Sequence, residues 1–158
     1  MGMSGSARGY VYDNRTGARG SAAEWVKEFA RRWARATTEL DPLLDLLGPG
    51  IRLSAPGLRP TQGKDAARRA FQRTFAALPD LTGDVEGWGV GEDTLFIEMT
   101  FRATVGGRPV EWRNIDRFRF ADGVAIERFA FFDPTPIRKA YLGSFSGWVQ
   151  LLRMRRLR

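Results

Sequence analysis

One carboxylate breaks the pattern of the stretch WRNIDRFRFADG, which runs from Trp112 to Gly123. Alternate side chains of a half-buried strand point to opposite faces, so the arginines here would face solvent and the aromatic residues would face the core. The same alternation places Asp116 among the aromatic residues, two positions after Asn114. A buried carboxylate is costly unless it is paired or protonated, which makes Asp116 the first candidate for chemistry.

The following stretch, VAIERFAFFD, offers Asp116 a partner. Its alternation puts Arg128 on one face together with Ile126, Ala130 and Phe132. Because ADG between the two stretches predicts a hairpin turn, Asp116 and Arg128 would lie on neighbouring strands and on the same face. If they pair, the carboxylate stays ionised and could act as a base. If Arg128 turns outward, burial favours a neutral acid that could donate to an oxyanion.

A purely structural role is the alternative to both of these states. Asp116, Asn114 and Arg128 could satisfy one another and fix the hairpin without any chemistry, because a buried pair need not be functional. The other carboxylates of the strand region are predicted to face solvent and to take no part in chemistry; they are Glu98, Glu111 and Glu127.

The composition excludes several kinds of chemistry. The 158 residues include no cysteine and no histidine, which rules out disulfides, thiolate or histidine metal ligands and histidine-based triads. The sequence has no cluster of oxygen ligands for a hard cation and no phosphate-binding glycine loop, so we expect neither a metal nor another cofactor. The net charge is +7, with four arginines in the last six residues. Because no nucleic-acid motif accompanies these charges, we expect no nucleic-acid partner.

The chain is long enough for one domain with a hydrophobic core. Residues 1–20 are rich in Gly and Ser and lack the apolar core of a signal peptide, so we interpret them as a flexible tail and expect a cytoplasmic protein. Residues 143–158 predict a basic amphipathic helix that packs through Trp148, Leu151 and Leu152. Contact of this helix with an anionic membrane surface is the alternative.

The pattern predicts helices first and then a run of strands. SAAEWVKEFARRWARAT repeats apolar residues at helical spacing, and DPLLDLLG predicts a short helix with Asp41 as its N-cap, Pro42 at the first helical position and Gly48 at its end. GKDAARRAFQRTFAALPD predicts a third helix, while IRLSAPG, DVEGWGVG and TLFIEMTFRATV predict strands besides those of the hairpin. Together they predict an α+β fold, in which a curved antiparallel sheet wraps over the N-terminal helices and leaves an inner apolar pocket.

The hairpin sequence IDRFRFADGVAIERFAFFD resembles the closing hairpin of the SnoaL-like proteins, which belong to the nuclear transport factor 2-like, ketosteroid-isomerase-like superfamily. GKDAARRAF is similar to the third helix of that superfamily and VKEFARRWARAT to its first, so the resemblance covers roughly residues 21–142. It implies a cystatin-like α+β cone with a deep apolar pocket, commonly dimeric. The members include isomerases, polyketide cyclases, dehydratases, epoxide hydrolases and non-catalytic binding domains, so the fold alone does not choose a function.

The resemblance also shows which catalytic groups of the relatives are missing. Asp116 matches the protonated aspartate that ketosteroid isomerases use as an oxyanion-hole donor, but their general base falls near Ala55 and their tyrosine near Phe29. The Asp-Arg-Asp triad of limonene-epoxide-hydrolase-like enzymes falls on apolar positions, namely Ile97, Met99 and Ala130. The histidine and aspartate of SnoaL-like cyclases fall at Arg128 and Ala130. The mechanisms of these relatives therefore do not transfer.

Strand alternation and the resemblance together predict the site. Asp116 and Arg128 are the predicted catalytic residues. The side chains expected to line the pocket and contact a ligand are Asn114, Trp112, Phe29, Trp33, Ala55, Phe71, Phe75, Ile97, Met99, Phe101, Ala130 and Phe132. We expect a homodimer through the outer sheet face, where Ile115 lies among arginines.

Two functions fit this site. The first is a cofactor-independent isomerase, cyclase, hydratase or epoxide-hydrolase-like enzyme that acts on a hydrophobic small molecule with Asp116 as acid or base. The second is a non-catalytic domain of the same fold that binds a small molecule or serves in assembly. A third hypothesis makes the C-terminal arginines a contact for membrane or nucleic acid, and it predicts salt-sensitive binding.

Overall fold

The computed structural model describes residues 22–91 and 93–143, and these residues form four helices and six strands. The tail predicted over residues 1–20 lies outside the described residues, as does all but the first residue of the helix predicted over 143–158. Both stay predictions. None of the helices within the described ranges has the length and apolar character needed to cross a membrane.

The helices are α1 (Ala22–Trp33), α2 (Asp41–Leu44), α3 (Lys64–Ala77) and α4 (Thr135–Leu142). The strands are β1 (Leu47–Ser54), β2 (Thr61–Gln62), β3 (Thr82–Val90), β4 (Thr94–Val105), β5 (Arg108–Ala121) and β6 (Val124–Phe132). The α+β class is therefore confirmed. The short helix predicted to reach Gly48 ends at Leu44 instead, and Gly48 belongs to β1.

The sheet has the strand order β2-β1-β6-β5-β4-β3 and is open, with β2 and β3 at its edges. All neighbouring pairs are antiparallel except β1 and β6, which run parallel, so the sheet is mixed, whereas the sequence pattern predicts an antiparallel sheet. Parallel strands need a long crossover connection rather than a hairpin. Since α3 and the strands β2 to β5 lie between β1 and β6 in the chain, no local turn could have indicated this pairing.

The first helix lies against the inner face of the sheet, which we define as the face that packs on α1 and α3. Apolar residues at helical spacing bury one side of α1, where Trp25 meets the ring of Phe118 at 4.9 Å and Trp33 meets that of Phe101 at 5.4 Å. Burial of such a side chain contributes about 1.5–3 kcal/mol. The close approach depends on Gly83 of β3, where an added Cβ would lie 2.4 Å from the Phe101 ring.

A bulge in β6 changes the face on which two residues lie. Arg119 pairs with Glu127, whereas Phe120 pairs with Ala125, so Ile126 is an extra residue in this strand. Ala125 is buried as a result, and Ile126 is 37% exposed, although simple alternation predicts Ile126 on the inner face. A bulge shifts the alternation by one residue, so the residues after it lie on the predicted faces.

Candidate functional site

The hairpin of β5 and β6 brings Asp116 and Arg128 together on the inner face. Asp116 pairs with Ala130 and Phe118 pairs with Arg128, so the two charged residues are diagonal neighbours across the strand pair. Arg128 Nη2 donates a hydrogen bond to Asp116 Oδ2 over 2.7 Å. Asp116 is 0% exposed and the Arg128 side chain 12% exposed, so this is a buried ion pair.

Two helices hold the guanidinium group in place. Arg128 Cζ lies 5.3 Å from the ring centroid of Trp33 on α1 and 5.7 Å from that of Phe71 on α3. A cation over an aromatic face is attracted by the ring quadrupole. Arg128 therefore points inward and lies beside Asp116, which is the first of the two arrangements considered for this pair.

Three buried polar atoms around this ion pair make no hydrogen bond to the described residues. They are Asp116 Oδ1, Asn114 Nδ2 and Arg128 Nε, and we call them the open polar atoms. Asn114 is 2% exposed and lies two residues from Asp116 on the same face. A buried polar group without a partner costs about 1–3 kcal/mol, so such groups are normally satisfied by water or by a ligand.

Apolar side chains surround the open polar atoms. On β4, Ile97 pairs with Asp116 and Met99 with Asn114, and both are fully buried. The aromatic rings of the site pack on one another. Trp33 contacts Phe71, Phe75 and Phe101, and Phe101 also contacts Trp112. The low polarity of this wall strengthens the electrostatic interactions of the ion pair.

The predicted ligand-contacting residues differ in their exposure. Ten of the twelve are buried, namely Asn114, Trp112, Phe29, Trp33, Phe71, Phe75, Ile97, Met99, Phe101 and Ala130. Ala55 and Phe132 are half-buried. Contact of these residues with a ligand stays a prediction.

A surface depression lies at the end of β4 that is farther from Ile97. Its lining mixes polar and apolar side chains and consists of Asp80, Thr82, Arg102, Ala103, Thr104, Pro109, Val110 and Glu111. None of the predicted site residues belongs to it. The inner apolar pocket therefore stays a prediction, and the aromatic rings that pack around Arg128 occupy much of the space predicted for it.

Leu53 is a site neighbour that the predicted site lacks. It pairs with Arg128 across the parallel β1–β6 ladder and packs, half-buried, against the core. The alternation of Ile51, Leu53 and Ala55 is a signal for one strand face. Its position beside Arg128 could not be predicted, because it depends on a pairing between distant strands.

The part of the chain that the structure describes contains no cluster of side chains that could bind a metal ion. Within residues 22–91 and 93–143, no three carboxylate, histidine or cysteine side chains come together as a possible metal site. The ion pair itself offers one carboxylate, and its second oxygen is one of the open polar atoms.

The comparison with protein families decides which family this is. A model of the SnoaL-like domain matches residues 9–128, which include β1 to β5 and the first half of β6. The chain belongs to the SnoaL-like family. The match contains Asn114, Asp116 and Arg128. No curated protein matches the chain in sequence.

Several solved structures share the fold of this SnoaL-like chain. A protein provisionally assigned as a SnoaL-like polyketide cyclase from Jannaschia sp. CCS1 has a TM-score of 0.67 and 20% identity, over 75% of this chain and 91% of its own. TerC, crystallised with polyporic acid, has a TM-score of 0.67 and 13% identity, over 75% of this chain and 95% of its own. The epoxide hydrolase/cyclase-like enzyme SalBIII acts in pyran ring formation in the polyether salinomycin. Its structure has a TM-score of 0.64 and 16% sequence identity, over 80% of this chain and 97% of its own.

Proposed function

We propose that this SnoaL-like protein binds a hydrophobic small molecule on the inner face of its sheet and transfers a proton with Asp116, without a cofactor. The observation that carries the proposal is the buried Asp116–Arg128 pair, in which Arg128 binds one carboxylate oxygen and leaves Asp116 Oδ1 open. In an apolar wall, a carboxylate with one open oxygen is suited to act as a general base.

The reaction class follows from this single base. Asp116 Oδ1 would accept a proton from a C–H or O–H group of the substrate and return it to another atom of the same molecule. Isomerisation, cyclisation and epoxide opening all fit such a transfer. The names of structural relatives support this range, since SalBIII is an epoxide hydrolase/cyclase-like enzyme and TerC was crystallised with a small molecule.

A non-catalytic binding or assembly domain is the second candidate. It is favoured by the residues at the positions where the resembling enzymes carry further acid or base groups, which here are Ala55, Ile97, Met99 and Ala130. Such a domain would use the ion pair only to hold and orient its ligand.

Homodimer formation through the outer sheet face belongs to the same proposal. Phe96, Ile115 and Phe131 are exposed there on three adjacent strands, and Ile115 pairs with Phe131. Arg117 lies between them, bound to Glu127 over 2.7 Å. Mixed apolar and paired charged groups suit a surface that meets its own copy. We place this dimer in the cytoplasm, without a nucleic-acid partner.

Capture of a hydrophobic metabolite by native mass spectrometry tests the function. The parent and Asp116→Asn are incubated with a metabolite extract, and bound and converted molecules are identified. Asp84→Asn is the matched control, because Asp84 also pairs with an arginine, Arg102, but is exposed away from the site. If the protein is an enzyme, the parent and Asp84→Asn convert the captured molecule and Asp116→Asn does not. If it is a binding domain, no protein converts the molecule, and only Asp116→Asn binds it more weakly. Equal capture and conversion by all three proteins would contradict a role for Asp116.

A further inference from the structure

The open polar atoms differ in the hydrogen bonds they can make. Asp116 Oδ1 belongs to a paired carboxylate and can only accept, whereas Asn114 Nδ2 and Arg128 Nε can only donate. The side chains that carry them share the inner face, and two of them are joined by the 2.7 Å hydrogen bond. A ligand group that satisfies all three must offer one hydrogen and two lone pairs.

We propose that the group bound there is a neutral hydroxyl, so that the ligand is an alcohol, an enol or a phenol with an apolar body. The inference rests on the proposed function and names the polar group of its ligand. The hydroxyl donates its hydrogen to Asp116 Oδ1 and accepts from Asn114 Nδ2 and Arg128 Nε. A hydroxyl has one donor and two acceptor positions, which matches the open polar atoms in number and kind.

Other polar groups leave some of these atoms without a partner. A carbonyl or an ether accepts from Asn114 and Arg128 but cannot donate to Asp116 Oδ1. An ammonium group donates to Asp116 but cannot accept. Each unsatisfied buried atom weakens binding, because its contact with water is lost and nothing replaces it.

The charge of the site excludes an anionic head group by the same reasoning. The negative charge of Asp116 and the positive charge of Arg128 neutralise each other within the buried pair. A ligand carboxylate would add a second negative charge beside Asp116 Oδ1, in a wall formed by Ile97, Met99 and Ala130. An uncompensated charge in apolar surroundings is costly, so the site favours a neutral group.

Four probes of similar size separate these possibilities: phenol, anisole, toluene and benzoate. Each is titrated into ¹⁵N-labelled protein, and dissociation constants are taken from chemical shifts of inner-face amides and of the Asn114 side-chain amide. We expect phenol to bind about tenfold more tightly than anisole or toluene, which corresponds to one buried hydrogen bond. Benzoate is expected to bind more weakly than phenol.

Two variants locate the effect. Asn114→Leu removes one donor and is expected to reduce the advantage of phenol over anisole several-fold. Thr100→Val is the control, because Thr100 is a buried polar residue of β4 that pairs with Arg113 on the outer side of the sheet. It should leave the order of the four probes unchanged.

The outcomes distinguish this inference from the function on which it rests. Equal binding of phenol and anisole, or tighter binding of benzoate, would overturn the hydroxyl inference and leave a ligand site in place. Absence of any inner-face shift with all four probes, toluene included, would contradict the proposed function as well. The ranking in the parent protein decides between these results even if Asn114→Leu does not fold.

Discussion

Arg128 stabilises the carboxylate of Asp116 by charge and by a direct hydrogen bond, while two aromatic rings hold its own guanidinium group. Removal of either partner leaves the other charge buried and unpaired. The pair therefore matters for folding as well as for chemistry, and a useful variant must separate the two effects.

Substitution of Arg128→Leu is expected to lower the free energy of unfolding by about 3–5 kcal/mol, since it leaves an uncompensated carboxylate in the core. Arg113→Leu is the control, because Arg113 is an exposed residue of β5 whose contact with Glu98 is 3.3 Å long. The Arg113→Leu substitution should lower the free energy of unfolding by less than about 1 kcal/mol. Urea denaturation of both variants measures the difference, and equal losses would show that Arg128 does not sit in a buried pair.

Asp80 gives the chain a pH dependence on the acid side. Both of its carboxylate oxygens lie 3.0 Å from the backbone N–H of Thr104. Hydrogen bonds from Thr104, first from its side chain and then from its backbone, lower the pKa of Asp80. Because the folded pKa lies below the unfolded one, Asp80 stabilises the fold above the unfolded value, and this contribution is lost as the pH falls through the folded pKa.

Asp80→Asn should therefore be less stable than the parent at neutral pH, by less than about 1 kcal/mol because Asp80 is exposed. The gap between the two proteins should close in acid. Urea midpoints measured at neutral and at acid pH check this expectation. A gap of the same size at both values would mean that the Asp80 carboxylate adds no pH-dependent stability.

Residues on regular strands were the easiest to predict from the sequence. The alternation of β5 places Asp116 inward, and the structure confirms it as fully buried. The meeting of Asp116 with Arg128 was also predictable, because the hairpin turn fixes which strands are neighbours. Their roles in binding or catalysis stay predictions. The open oxygen of Asp116 had no sequence signal, since it depends on which atoms Arg128 reaches.

Elements were predictable where their signals are local. The helical spacing of Trp25, Phe29 and Trp33 predicts α1, and strong alternation predicts β4. Three features of the sheet escaped prediction: the two-residue strand β2, the parallel pairing of β1 with β6, and the bulge at Ile126. The parallel pairing depends on contacts between segments far apart in the chain and the bulge on a single inserted residue, and period-two patterns carry neither. The strand β2 pairs locally with β1, but its two residues are too few to show an alternation.

Gly83 is predicted to set the distance between α1 and the sheet. An added Cβ would lie 2.4 Å from the Phe101 ring and 2.7 Å from Trp33 Nε1, so Gly83→Ala forces the rings apart. We expect a loss of about 1–3 kcal/mol in unfolding free energy. Gly89→Ala is the matched control on the same strand, because its Cβ would meet nothing within 4 Å. Thermal melts compare them, and similar stability of the two variants would contradict close packing at Gly83.

The outer sheet face governs the expected assembly of the whole molecule. Ile115 is 44% exposed on that face, and a charge placed there would be buried between two copies. We expect the parent to have the mass of a dimer by light scattering at micromolar concentration and Ile115→Asp that of a monomer. Leu58→Asp, an exposed apolar position in the loop before β2, should leave the dimer intact. A parent that shows only the monomer mass would contradict the proposed dimer.

We propose that the buried Asp116–Arg128 pair belongs to a ligand site rather than to the scaffold alone. The most direct measurement is a calorimetric titration of the captured hydrophobic ligand into the parent, Asp116→Asn and Asp84→Asn, with thermal melts of each protein alongside. Asparagine preserves the shape of Asp116, so the variant should fold while its ligand affinity falls about tenfold or more. Asp84→Asn should bind as the parent does. Unchanged affinity and turnover in folded Asp116→Asn would contradict the account and make Asp116 a structural residue.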